Sequence, residues 1–143
     1  MYPIIYDLPD NCQELRRRSP FLFTTILAVA CRFYRHHTSK APKADQPPLS
    51  PATSYEIVRM AYAHLGASLF WKQHQLEDVQ AVQLITLWVL TRPGQSPDQW
   101  LVSGHAARLA YRIGLNKASE KDLGSLGTPS RMERWQMWLA WYR

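Results

Sequence analysis

The stretch SPDQWLVSGHAARLAYRIGL, residues 96–115, decides the fold. It reads as one helix with both ends marked. Ser96 can cap it and Pro97 suits the first helical position. Gln99 stands three residues after Ser96 and completes a capping box. At the far end Arg112 lies in the last turn and Gly114 can take the left-handed stop. Val102, Ala106, Leu109, Ala110 and Ile113 recur at helical spacing between them. Gly104, Ala106, Ala107 and Ala110 keep much of the surface small, so a neighbouring helix can come close. This is the expected central helix of an all-α domain.

Working outward, Arg92-Pro93-Gly94-Gln95 reads as a tight turn, which makes the preceding helix an antiparallel neighbour. That helix is expected from Leu76 or Glu77 to Thr91. Val79, Val82, Leu84, Ile85, Leu87, Trp88, Val89 and Leu90 leave it almost no polar face, so it should be central. Glu77 and Asp78 suit its positive N-terminal end. Another helix is expected over about Ser54 to Lys72, opened by a Thr53–Glu56 capping box. Its stripe is Val58, Ala61, Tyr62, Leu65 and Leu69. Residues 38–52 carry four of the ten prolines and read as a mobile, exposed loop. Before it, Ser19 caps and Pro20 starts a helix running to about His37, apolar nearly all round and therefore buried.

Residues 1–18 read as an irregular lead-in with a short helical turn near Gln13 to Arg18, and residues 19–143 as the helical domain. Downstream, Asn116 to Thr128 is a loop. A last helix starts near Pro129, or at Ser130 with Glu133 as its box partner, and shows Trp135, Trp138, Leu139 and Tyr142 on one face. The pattern still runs at Arg143, as in a domain truncated at its C-terminus. The expected architecture is an orthogonal or bundle-like array of about five helices.

The 143 residues make one domain's worth of chain, 46% hydrophobic, with six tryptophans. Such a domain buries roughly 70% of its unfolded surface. The net charge of +6 is compatible with an acidic partner or nucleic acid, but the basic residues are scattered apart from Arg16-Arg17-Arg18. Two cysteines are too few for a disulfide framework or a four-cysteine zinc site, and a reducing compartment fits best. Cys31 reads as a small buried hydrophobe. The apolar run Pro20 to Cys31 is too short to span a membrane, so no membrane role is expected.

Chemistry is sparse. The five histidines show no metal-ligand spacing. Ser103-Gly104-His105 lacks the glycine frame of a nucleophile turn, and residues two apart on a helix face different ways. The acid pairs sit at a helix start and in a loop, and no phosphate-binding glycine loop exists. No catalytic or metal residue is therefore assigned. Trp88, Trp100, Trp135 and Trp138 are the candidate aromatics for an effector pocket. Arg108 and Arg112 lie on an otherwise apolar helix, and a half-buried arginine needs a carboxylate.

Four segments in order carry a family likeness: Ser19 to Cys31, Asp78 to Trp88, Trp100 to Lys117, and Arg131 to Tyr142. Together they resemble the fungal-specific transcription factor domain, the regulatory middle homology region of fungal zinc-cluster transcription factors. Gly104, Ala106, Arg108, Leu109 and Gly114 carry the most recognisable part. The family layout also makes Glu133 the candidate partner of Arg108. The resemblance implies a nuclear, non-catalytic domain that modulates transcription through intramolecular or partner contacts with regulatory proteins or the transcription machinery. It also allows a small-molecule effector and a dimer. Family members bind DNA through a separate six-cysteine zinc cluster, whereas this chain has two cysteines in no such frame. It therefore looks like a fragment lacking the DNA-binding domain, with no cofactor of its own and DNA contact only through the missing part. The alternative is a helical protein-interaction scaffold without a transcriptional role, which predicts repeats of about 34–40 residues. No such period occurs.

Overall fold

The computed structural model describes residues 11–38, 50–88 and 97–115. These hold five α-helices and no strand, so the chain is all-α. Asn11 opens α1 (Cys12–Arg18), its side-chain oxygen accepting the Gln13 N–H at 2.8 Å. Glu14 in the first turn and Arg16 to Arg18 in the last complement the helix dipole. The helical turn expected near residues 13–18 is thus a capped helix, and it delivers Leu15 to the core.

Ser19 ends α1 and starts α2 (Pro20–Thr38). Its N–H donates to the Leu15 carbonyl at 2.9 Å, and its Oγ accepts the Leu22 N–H at 3.2 Å. Phe21, Leu22, Thr25 and Ala28 are fully buried, and Cys31 is buried as expected. Leu27 and Phe33 form a more exposed edge of the same helix.

The same Ser-Pro signal opens α3 (Pro51–Ser68). Ser50 Oγ accepts the Ala52 N–H at 3.2 Å, and Pro51 takes the first position. The expected Thr53–Glu56 box is therefore not the start. Glu56 pairs instead with Arg59, at 2.8 Å. The helix stops at Ser68, short of Lys72, because the Leu69 and Phe70 amides turn back onto Gly66 and Ala67. Ala61 is buried, and Val58, Tyr62 and Leu65 pack against the core, but Leu69 from the expected stripe is exposed.

In α4 (Leu76–Leu87) every residue from Leu76 to Ile85 is buried. Asp78 and Gln75 form a capping box: the Asp78 carboxylate accepts the Gln75 N–H at 2.8 Å. The turn expected at residues 92–95, and Val89 to Thr91, lie outside the described residues.

α5 (Gln99–Arg112) is capped by Asp98, whose carboxylate accepts the Trp100 N–H at 2.8 Å. The start therefore lies later than the expected Ser96–Pro97. Ser96 itself lies outside the described residues. Gly114 adopts φ 79°, the expected left-handed stop. Val102, Ala106, Leu109 and Ala110 are buried as expected. Ala107 is exposed, and a Cβ on Gly104 would meet only the Arg108 side chain at 3.8 Å. Only part of the small-residue surface therefore faces a helix.

α2 and α4 form the middle of the packing. α2 touches α1, α3 and α4, while α4 touches α2 and α5. The apolar core runs through all five helices and ends on Leu115.

Candidate functional site

The connector between α3 and α4, residues 69–75, gathers the polar chemistry of the described chain. It carries Trp71, which meets Phe21 of α2 edge to face with ring centroids 6.1 Å apart. His64 of α3 stacks on the same Phe21 at 5.9 Å. These rings, with Arg18, Gln75 and Asp78, line an open pocket of about 240 Å³.

Two ion contacts border this pocket. Arg18 Nε lies 2.7 Å from Glu77 Oε1, with the Glu77 side chain 4% exposed and that of Arg18 42% exposed. Glu77, expected to serve the α4 dipole, also holds α1 to α4. Asp78 Oδ2 lies 3.8 Å from His74 Nδ1, beyond hydrogen-bond reach. Burial pushes the Asp78 carboxyl above its ordinary value, and Glu77 adds to this. The Gln75 N–H and His74 oppose the rise.

A second set of bonds ties the connector to α5. Arg112 Nη2 donates to the Lys72 carbonyl at 3.3 Å, and Nη1 makes a long contact to His74 Nε2 at 3.5 Å. Two turns earlier, His105 Nε2 lies 3.0 Å from Ser68 Oγ. Ser68 donates its hydroxyl proton to the Leu65 carbonyl at 2.7 Å, so His105 donates to Ser68. Burial lowers the His105 pKa, helped by the charges of His74 and Arg108.

This serine–histidine pair is built for structure. Ser68 is fully buried and its proton is committed to a backbone carbonyl, so it cannot meet a substrate. Ser103 is exposed on another face and bonds the Trp100 carbonyl at 2.9 Å. Among the described residues, no three His, Cys, Asp or Glu side chains are grouped to hold a metal, and no helix is long and apolar enough to cross a membrane.

The candidate aromatics are scattered. Trp88 packs edge-on against Phe33 at 5.0 Å, and Trp100 is 78% exposed. Neither lines the pocket, which Trp71 does. Trp135, Trp138 and Glu133 lie outside the described residues. Arg108 is exposed rather than half-buried, so burial does not force a carboxylate on it. Ala106 and Leu109 are core, and Gly104 is at a partly open position. Sequence reasoning missed His64, Trp71 and His74. The available signal was an aromatic and polar connector placed directly before the most apolar helix.

Over 129 residues the chain is 27% identical to the "Transcriptional activator of proteases prtT" of Emericella nidulans. The match covers 90% of this chain and 16% of that protein, so the chain spans about a sixth of the curated relative it matches. No family model and no solved structure matches the chain. The similarity relates the chain to a fungal transcription factor.

Proposed function

We propose that the chain is a regulatory, non-catalytic part of a fungal nuclear transcription factor, corresponding to the middle homology region of the zinc-cluster family. The observation that carries this is the similarity to a transcriptional activator along 90% of the chain. It agrees with the four ordered segments read in the sequence. The all-helical build supports a role through surfaces, and the buried Ser68–His105 pair gives no nucleophile. The partners are regulatory proteins or the transcription machinery. Zinc and DNA contact belong to a separate domain, and no residue here is assigned to either.

The test is tethering. The chain is fused to a heterologous DNA-binding domain together with an activation segment, and reporter transcription is compared with the fusion lacking the chain. A change in reporter output supports the reading. No change, with the chain excluded from nuclei, sinks it. The purified chain should not retard DNA even at low salt, where nonspecific electrostatic binding is strongest.

A further inference from the structure

The pocket beside the α3–α4 connector combines flat apolar surface with one unbalanced charge. Trp71, Pro20 and His64 supply the apolar surface, and the fully buried Phe21 underlies it. Arg18 also lines the pocket, but its guanidinium is engaged by Glu77 at 2.7 Å, so those two charges offset each other. Asp78 is left over. Its Oδ2 accepts the Gln75 N–H and faces His74, whereas Oδ1 makes no hydrogen bond among the described residues. A carboxylate held partly out of water, next to aromatic rings, favours a cation that also has an apolar body.

We infer that this pocket binds a small organic ammonium ion with an aromatic or short apolar body. The ammonium group donates to Asp78 Oδ1, and the body rests on Trp71 and Pro20. A volume of about 240 Å³ admits a single-ring amine. An anion of the same shape would meet the Asp78 charge and find Arg18 already engaged. Use of the pocket as an effector site rests on the regulatory reading above, but binding itself does not.

The experiment titrates the full 143-residue chain with benzylammonium chloride. NMR follows the Trp71 indole N–H and the Gln75 amide. Saturable shifts of both are expected at roughly millimolar concentration or below. Asp78→Asn keeps an acceptor for Gln75 but removes the charge, and should weaken binding about tenfold or more. Benzyl alcohol, the same shape without charge, should bind the unaltered chain about tenfold more weakly, a comparison that needs no variant to fold. No saturable shift, equal binding of benzyl alcohol, or a preference for benzoate overturns the inference. A probe that binds here yet leaves the tethered reporter unchanged supports the site and removes only its regulatory use.

Discussion

Arg18, the last residue of α1, reaches Glu77 in the first turn of α4, with Nε 2.7 Å from Oε1. The acid is almost wholly buried and the base is not. Removing the base therefore takes from a buried carboxylate its 2.7 Å cation, while the reverse change leaves an arginine that can turn to water. Arg18→Ala should lower unfolding stability by about 1–3 kcal/mol, measured by urea denaturation. A loss under about 0.5 kcal/mol would mean the pair acts like an exposed one.

The helix starts can be tested one by one. Ser50→Ala and Asp98→Ala should each cost about 1 kcal/mol, because each removes an acceptor for a helix N–H. Thr53→Ala, inside α3 and exposed, should stay within about 0.5 kcal/mol. Thermal denaturation of the three variants decides between the observed start of α3 and the one that the Thr53–Glu56 spacing suggests.

Two groups give the stability opposite pH slopes. The His105 pKa is lowered from 6.5, so the unfolded chain takes up a proton that the folded chain resists. Its contribution is present above 6.5 and is lost as pH falls from there toward the lowered folded value. His105→Gln retains a donor for Ser68 and should flatten that loss in denaturant midpoints collected from neutral to mildly acidic pH. A slope unchanged in His105→Gln would reject the assignment.

The Asp78 pKa is raised from 3.8, so the folded chain holds its proton more tightly than the unfolded one. Stability from this group is present at low pH and is lost as pH rises from 3.8 through the raised value. Asp78→Asn should remove this part of the profile. Midpoints collected across the acid range check it, and a variant with the same slope as the unaltered chain would be the contrary result.

Two glycines of the α5 segment should respond in opposite directions. Gly114 sits at φ 79°, so Gly114→Ala should cost about 1 kcal/mol. Gly104 lies inside the helix, where an added Cβ meets only the Arg108 side chain at an ordinary 3.8 Å, so Gly104→Ala should stabilise by about 0.5–1 kcal/mol. Calorimetry of both variants tests the pair. A destabilised Gly104→Ala would reveal a close neighbour at that position.

How legible the fold was depended on the kind of signal. α4 was legible because a helix apolar on all sides needs no phase to be recognised as central, and Leu76 to Ile85 are all buried. The inward face of α5 was legible from its period, as Val102, Ala106, Leu109 and Ala110 show. The exact helix starts were not. Ser50 and Thr53, or Ser96 and Asp98, are rival caps a few residues apart, and local sequence does not weigh their bonds against tertiary packing. The pocket was least legible. Its parts come from α1, α2, α3 and an aperiodic connector, so only the fold brings Arg18, Phe21, His64, Trp71 and Asp78 together. Of the four candidate tryptophans, Trp88 and Trp100 stand away from this pocket, which Trp71 lines, and Trp135 and Trp138 lie outside the described residues.

The burial of α4 from Leu76 to Ile85 bears on how this chain is made. α4 leaves the ribosome before α5, yet α5 is one of the helices that pack on it. During that interval a nascent chain carries a helix with an apolar side and no cover, the kind of surface that chaperones bind. A transcript or protease cut that ends the chain between Trp88 and Gln99 would make that interval permanent. Among the described residues, the core therefore needs α5 and runs on to Leu115, whose side chain is 2% exposed.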